Sequence, residues 1–585
     1  MDKNNVAQLL EQVATLLELK EGSSAFEVRA YQNAARAVES LDGDIGELTR
    51  AGKLKGTPGL GPTIIKRIEE LLTTGKMTFY EELVRDTPAI KLEMLRIQGV
   101  GPKKVNAIYS QLSVNSLEDL IQVCQEHKVA ALPGFGKKTE DKILQGINFL
   151  AQHAGRYFYS DAEEQAQQIQ AALSVIPGIV RMQVAGSLRR KRETVKDIDM
   201  VVSVADDAGD EVRTQIMDVF TAQAGIKAVT GKGLTKSSVV LASGMNVDLR
   251  VVGDAQFPYT LHHFTGSKEH HIPLRRRALS MQMTINDYGL FRGKEPDLEL
   301  VPCKNEAEIY AALNLDYIEP ELREDLGEIE AAAQHTLPVL VQVSDLQGVL
   351  HAHSTWSDGH NSIREMVEAC LQRGFTYLGM TDHSKAAAYA GGLNEDALKR
   401  QGEEIDQLNA EYQGRIQILK GIECDILRDG TLDFSDEVLA TLDFVVASIH
   451  SQFTLSQEEQ TQRMLRAVAN PLVDIIGHPT GRLLLGRAGY PLDIDALIAA
   501  AAQSGACIEI NAHPSRLDLD WRYLHRARDK GIKIPINPDA HAIDGLDLMK
   551  YGVGIARKGW LRPGDVLNTL SASEVRAYFQ KRRQP

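Results

Sequence analysis

In Lys196-Asp197-Ile198-Asp199-Met200-Val201-Val202, two carboxylates stand two positions apart in a run rich in β-formers. Period-two alternation puts both on one face of a strand. A third acid, Asp248, lies in the strand-like Asn246-Val247-Asp248-Leu249-Arg250-Val251-Val252. Three carboxylates on one sheet face repel one another unless cations gather there. Paired divalent ions about 3.5–4 Å apart, as used in phosphoryl transfer, relieve that repulsion. Upstream, Gly186-Ser187-Leu188-Arg189-Arg190 supplies the complement. Gly186 and Ser187 can offer backbone N–H and hydroxyl groups to a triphosphate, and Arg190 can hold phosphate oxygens with its fork of donors. An Asp-x-Asp pair alone fits a solvated strand end. Gly-Ser-x-Arg-Arg leading into Asp-Ile-Asp is far more specific.

A second set of chemical residues fills the C-terminal region: His351 and His353 in His-Ala-His, Asp358, His383 in Thr-Asp-His, Glu423 in Gly-Ile-Glu-Cys-Asp, His450 in Ser-Ile-His, His478 in Gly-His-Pro, and Asp539 and His541 in Asp-Ala-His. Imidazoles mixed with carboxylates suit zinc, manganese or iron, and a set this large can hold two or three ions. A bound water would become hydroxide near neutral pH while other ions neutralise a phosphate. Glu423 and Asp358 are the candidates to bridge ions or carry protons. A single histidine is more often a core or surface residue; nine such residues at successive strand ends are not. Asp382 is expected to orient its neighbours. Arg482 is either a phosphate holder or a salt-bridge partner. His360, His513 and His525 are expected to be structural.

A third pattern repeats near the N-terminus. Pro58-Gly59-Leu60-Gly61-Pro62, Gln98-Gly99-Val100-Gly101-Pro102 and Pro133-Gly134-Phe135-Gly136-Lys137 each lead into a helix, expected over 63–72, 103–109 and 138–147. Gly-x-Gly makes a tight turn that lets backbone approach a ligand, and the following helix N-terminus offers unpaired N–H groups. Such contacts hold nucleic-acid phosphates without reading sequence. One copy would be an ordinary turn; three copies predict DNA contacts at Gly59, Gly61, Gly99, Gly101, Gly134 and Gly136.

These motifs need elements to place them. The first third reads as helix, with apolar residues at helical spacing in Val6-Leu9-Leu10-Val13-Leu16-Leu17. From Val349 onward, short β-type runs such as Tyr377-Leu378-Gly379-Met380 and Phe444-Val445-Val446-Ala447 alternate with amphipathic helices. That alternation predicts a parallel (β/α) barrel, whose strand C-termini carry its chemistry. At 585 residues the chain is too long for one core. The start, Met1-Asp2-Lys3-Asn4-Asn5, lacks a signal peptide's features, no segment has a membrane span's apolar length, and the five scattered cysteines argue against disulfides. A cytoplasmic, nucleoid-associated protein is expected. The net charge of −14 does not exclude DNA, because only a local basic surface is needed; it predicts salt-sensitive binding.

At the Gly-Ser-x-Arg-Arg and Asp-Ile-Asp residues the chain resembles family X, DNA polymerase beta-like nucleotidyltransferases, as far as roughly residue 318. The resemblance implies that Asp197 and Asp199 bind both ions and that Asp248 binds the catalytic one, nearest the primer 3′-hydroxyl. It implies further that His263, Phe264, Gly266 and Ser267 pack beside the incoming sugar, that Arg275 lies near the templating base, and that Tyr288-Gly289-Leu290-Phe291 belongs to the thumb. The Gly-x-Gly copies resemble helix-hairpin-helix motifs. Two departures matter. The family commonly has Tyr where His263 stands, which changes sugar discrimination. Eukaryotic members use a Lys nucleophile for abasic-site lyase chemistry where Arg67 stands here, and a guanidinium does not form a Schiff base; Lys66 points elsewhere around the helix. The histidine set resembles the PHP (polymerase and histidinol phosphatase) family across roughly 346–570.

The combination resembles the bacterial and archaeal family X polymerases that carry a PHP domain. The fold class it implies is multidomain: helical helix-hairpin-helix N-terminal domains, an α+β nucleotidyltransferase palm with thumb, and a C-terminal (β/α) barrel-like PHP domain. The expected divisions are a lyase-like domain 1–80, fingers 81–155, palm 156–252, thumb 253–318, linker 319–345, PHP domain 346–570 and tail 571–585. The implied activities are filling of short gaps in DNA and 3′→5′ exonuclease, with abasic-site endonuclease or 3′-phosphatase action at the PHP site. The implied cofactors are Mg²⁺ or Mn²⁺ at the polymerase site and two or three Zn²⁺, Mn²⁺ or Fe ions at the PHP site. The expected partners are gapped or nicked DNA and dNTP, with no membrane, and the chain is expected to act as a monomer. Two alternatives stay open: a catalytically silent scaffold that delivers DNA ends to a PHP nuclease, and a PHP phosphatase for a small metabolite.

Overall fold

The computed structural model describes every residue except 1, 2, 21, 40, 42–44, 98, 294–296, 584 and 585. Gln98 of the second glycine repeat and Met1-Asp2 of the N-terminus therefore lie outside the described residues. The chain divides into two compact units, Met1–Ala154 and Gly155–Pro585.

The first unit is helical. In each repeat the first glycine (Gly59, Gly99, Gly134) has positive φ, and the second (Gly61, Gly101, Gly136) caps the next helix. Those helices, Pro62–Thr74, Pro102–Leu112 and Lys137–His153, run longer at both ends than expected. One apolar core extends from Val6 to Ile147. Lys91 Nζ donates to Leu19 O (3.2 Å), and Asn106 Nδ2 donates to Glu18 O (3.0 Å). The expected lyase-like and fingers portions thus share a core across the 80/81 division.

The second unit begins with a five-stranded sheet. Its order is Ile179–Val184, Asp197–Val204, Asn246–Gly253, Lys236–Leu241, Ile226–Lys232. Only the central pair, Asp197–Val204 with Asn246–Gly253, is parallel. Ile198, Met200, Val202 and Val204 pack under the helices Tyr159–Ser174 and Asp210–Thr221. Strand alternation then turns Asp197 and Asp199 to the opposite face. The helices Phe257–Thr265 and Lys268–Ser280 follow, then three short antiparallel strands.

The segment 319–345 is not an open linker. It contains the helix Glu328–Ala333, and Leu322, Ile329, Ala332 and Leu340 join the core built on Tyr259, Leu274 and Tyr310. Two of its charges are paired inside the fold. Arg323, fully buried, meets Glu306 at 2.6 Å, and Glu328 meets His270 at 2.6 Å.

From Gly348 on, parallel strands form a ring. Gly348–Val349, Tyr377–Met380 and Gln417–Lys420 pair in order. Glu423–Asp425, Val446–Ser448, Ile475–Ile476 and Cys507–Ile508 continue it. Ile510–Asn511 then pairs with Ile536–Asn537, and an Ala352–Ala540 bridge closes the ring. The expected tail is instead a helix, Ala572–Arg583, that seals one end. Val575 and Phe579 are fully buried there; the Phe579 ring stacks on Phe444 at 5.6 Å, and Arg583 pairs with Asp474 at 2.5 Å. Arg582 also donates to Pro471 O (2.7 Å), and Arg583 to Leu442 O (2.6 Å). Phe579→Ala is expected to cost about 3–5 kcal/mol in urea unfolding of the intact chain, the range for emptying a buried aromatic site; a cost under about 1 kcal/mol would return this helix to the status of a tail. Among the described residues no helix is long and apolar enough to cross a membrane, and all five cysteines are free and buried.

Candidate active sites

The first site lies on the open face of the five-stranded sheet. Parallel pairing places Asp199 directly opposite Asp248, with Asp197 one pleat away beside Asn246. Burial, followed by the neighbouring Asp197 and Asp248, pushes the Asp199 carboxyl up to about 7. Burial and Asp248 likewise raise Asp197. Burial acts to raise Asp248 too, but bonds from Lys236 Nζ (2.8 Å) and Ser238 Oγ (2.6 Å) outweigh it and hold this carboxyl below its ordinary range. The sequence reading missed Lys236 and Ser238, because only the strand pairing brings them beside Asp248.

The short helix Gly186–Arg189 abuts this triad. Gly186 has positive φ, and a Cβ there would overlap the Asp199 carboxylate, so glycine is required twice over. Ser187 and Arg190 line a cavity that also reaches Asp197. Arg190 is already engaged, donating to Thr265 O (2.5 Å) and Glu324 Oε1 (3.1 Å). The Thr265–Ser267 turn therefore packs on the Gly-Ser-x-Arg-Arg segment, as the grouping of the two motifs requires. A Cβ on Gly266, whose φ is positive, would press on the Arg190 guanidinium at 3.0 Å. Ser267 caps the helix Lys268–Ser280 by accepting from His270 N at 3.1 Å. Phe264 is covered by the Arg250 guanidinium at 3.8 Å, and His263 stacks on His271 at 5.7 Å. Arg275 is exposed two turns along that helix and does not line the cavity.

The second site is the barrel mouth. Glu423, fully buried, is its hub. Its carboxylate lies 2.9 Å from His478 Nε2, 2.9 Å from His383 Nδ1, 3.4 Å from His450 Nε2 and 3.5 Å from His351 Nε2. Asp539 stands 3.1 Å from His353 Nε2 and 3.5 Å from His351 Nε2. Asp358 faces His541 (3.4 Å), His383 (3.6 Å) and His353 (3.9 Å). All nine expected ligands are thus brought together. They include three overlapping groups with mutually close ligand atoms: His353, Asp358, His383 and His541; His351, His353 and Asp539; His383, Glu423 and His450.

Several of these atoms are buried with no hydrogen-bond partner: His351 Nε2, His353 Nδ1, His383 Nδ1, Glu423 Oε2, His450 Nδ1 and His478 Nδ1. Orphaned lone pairs at such density are costly unless a cation satisfies them, so the residues fit metal ions. Imidazoles around Glu423 and Asp539 hold both carboxyls well below the usual range against the opposing effect of burial. Burial and the adjacent His541 push His353 down to about 3, which keeps it neutral and able to ligate. His478 and Asp539 both take positive φ, local strain that aims their side chains into the mouth.

Glu509 was missed. It accepts from His351 Nδ1 (2.7 Å), the His478 backbone N–H (2.7 Å) and Asn537 (3.0 Å), so it orients two ligands at once. An acid inside the apolar run Cys507-Ile508-Glu509-Ile510 was its signal. Asp382 orients a loop and not a histidine, accepting from Ser354, Ser357 and Gln401. Arg482 is spent on Asp520 and on the carbonyls of Arg516 and Leu517, which removes it as a phosphate holder. His360, His513 and His525 join none of the metal-ligand groups.

The chain is 42% identical over 583 residues to the DNA polymerase/3'-5' exonuclease PolX of Bacillus subtilis (strain 168), covering 99% of this chain and all of the relative. The chain belongs to the PolX family. Within this PolX-family chain, residues 1–77 match a helix-hairpin-helix domain, 91–148 a SAM-like helix-hairpin-helix tandem, 260–324 the DNA polymerase beta thumb and 350–513 the PHP domain. The barrel alone resembles a probable phosphatase of Thermoanaerobacter sp. (strain X514), 30% identical over 247 residues, 40% of this chain and 94% of the relative. The three hairpin helices carry no side-chain N-cap. Arg67 lies 3.4 Å from the Phe79 ring centroid and 5.5 Å from that of Tyr31, a packing role in place of a nucleophile's.

Proposed function

We infer that this PolX-family chain is a DNA-repair polymerase that fills short gaps from dNTP, paired with a divalent-metal-dependent 3′→5′ exonuclease in its barrel. The observation that carries the polymerase reading is the crowding of Asp197, Asp199 and Asp248, with Asp199 facing Asp248 across paired strands. Acids arranged this way are built for cations. Mg²⁺ or Mn²⁺ bound there would neutralise the polyphosphate and make the primer 3′-hydroxyl a better nucleophile. Asp197 and Asp199 would hold both ions, and Asp248 would sit nearest the 3′-hydroxyl. Ser187 and Arg190 would position the triphosphate, and His263 and Phe264 would pack beside the sugar. Lys236 and Ser238 keep Asp248 ionised and fixed.

In the barrel, two or three Zn²⁺, Mn²⁺ or Fe ions would be held by His351, His353, Asp358, His383, Glu423, His450, His478, Asp539 and His541. Glu509 fixes the ring orientation of His351. The likeness to probable phosphatases supports 3′-phosphatase or abasic-site endonuclease action at the same mouth. The chain acts as a monomer on gapped or nicked DNA in the cytoplasm, with the glycine hairpins gripping backbone phosphates.

The deciding experiment presents the intact chain with a one-nucleotide gap and with a mismatched primer end. Extension and trimming should both stop in EDTA and return with Mn²⁺. Trimming without extension would favour the silent-scaffold reading. Hydrolysis of sugar phosphates in preference to 3′-phosphorylated DNA would favour the metabolite-phosphatase reading.

A further inference from the structure

The polymerase cavity is not bounded by polymerase elements alone. Its volume is about 740 Å³; its lining includes Ser187, Arg190 and Asp197 and, from the barrel helix Trp521–Asp529, Arg522 and Arg526. These two arginines are four positions apart, on one face of the helix. The lining holds six Lys and Arg side chains against three carboxylates, in a chain whose net charge is −14. Glu193, Asp520 and Asp495 pair with Arg522 and Arg526 from just outside the lining, and the donors these pairs leave over suit a polyanion.

The helix is fixed in place and not a passing neighbour. Lys558, fully buried in the next barrel helix, donates to Arg190 O (3.0 Å) and Glu324 Oε1 (2.5 Å) and lies 4.8 Å from the Trp521 ring centroid. Arg522 meets Glu193 at 3.5 Å. The backbone of the phosphate-holding Arg190 is thereby tied to the barrel. Arg522 and Arg526 are 49% and 47% exposed, and each keeps donors beyond its bonds to Asp520 and Asp495.

We propose that the barrel helix Trp521–Asp529 forms the outer wall of the incoming nucleotide's polyphosphate subsite, with Arg522 and Arg526 as phosphate contacts. The proposal rests on the reading of Ser187 and Arg190 as the nucleotide site. It makes the barrel a working part of the polymerase: Arg522 and Arg526 line the same cavity as Ser187, Arg190 and Asp197. A DNA-backbone phosphate is the other polyanion available, but the cavity continuous with Ser187, Arg190 and Asp197 favours the nucleotide.

The test uses the full chain on one-nucleotide-gapped DNA at constant ionic strength, comparing Arg522→Ala/Arg526→Ala, the matching Arg→Lys pair, Arg526→Gln alone and Arg190→Ala. The Ala pair should raise KM for dNTP about tenfold, equal to the loss of about 1.4 kcal/mol of binding. Inhibition by inorganic tripolyphosphate should weaken by the same factor, with kcat within about threefold of the parent and KM for DNA unchanged. The Lys pair should recover part of the loss. Arg526→Gln, which keeps a long side chain, should show a smaller rise of the same kind and serves if the double variant does not fold. Unchanged dNTP KM and tripolyphosphate inhibition, with Arg190→Ala impaired, overturn the proposal and leave the nucleotide site standing. A loss confined to KM for DNA overturns it in favour of a backbone-phosphate wall. If Arg190→Ala is also unaffected, the nucleotide-site reading fails and the proposal falls with it.

Discussion

With Asp199 replaced by asparagine, nucleotide addition to a one-nucleotide gap falls by roughly 10³-fold or more, while trimming of 3′ ends continues at the parental rate. Asparagine preserves the shape against which Gly186 is packed, so the loss reports charge and not collapse of the turn. The variant carries a second, independent signature in EDTA. Burial, with Asp197 and Asp248, raises the Asp199 carboxyl from its ordinary 3.8 to about 7. Over that interval the folded chain keeps a proton that the unfolded chain has released, so metal-free stability falls as pH rises from about 4 through about 7. The uncharged amide carries no such penalty. The Asp199→Asn variant should therefore melt above the parent at pH 8 in EDTA, and the gap should close near pH 4. Retained synthesis by this variant would mean that the triad is not the reacting centre.

Glu423→Gln is expected to give the mirror result. Exonuclease activity drops at least about 10²-fold, bound metal measured on the purified protein decreases, and gap filling is untouched. The reason is geometric. Among the described residues, Glu423 is the carboxylate that lies within 3.5 Å of all four of His351, His383, His450 and His478. An amide in its place turns one acceptor into a donor aimed at imidazoles, and it removes the charge that draws cations into a fully buried position. Trimming that survived this change at parental rates, with metal content unaltered, would show that the barrel cluster is structural.

Much of both sites was readable because their chemistry follows local periodicity. Asp197 and Asp199 share a face by strand alternation, and each Gly-x-Gly repeat became a positive-φ turn with a glycine helix cap. The barrel ligands sit at strand ends, where an apolar run followed by a histidine can be recognised in order. Residues that act through long-range pairing were not readable. Lys236 and Ser238 reach Asp248 only through antiparallel register, and Glu509 serves His351 from 158 positions away. Nor was the burial of the expected linker 319–345 and the expected tail readable, because Arg323 finds Glu306 and Arg583 finds Asp474 only in the folded chain.

Residue type and spacing alone determined that this chain has two separate phosphate-ester chemistries and glycine hairpins suited to a nucleic-acid backbone. Such patterns are set by helix and strand geometry over a few residues. Only the tertiary structure decided that the segment after residue 318 belongs to the thumb core, that a C-terminal helix seals the barrel, and that the barrel walls the polymerase cavity. Those outcomes depend on which distant surfaces bury one another, a balance of desolvation and pairing that no short stretch of sequence contains.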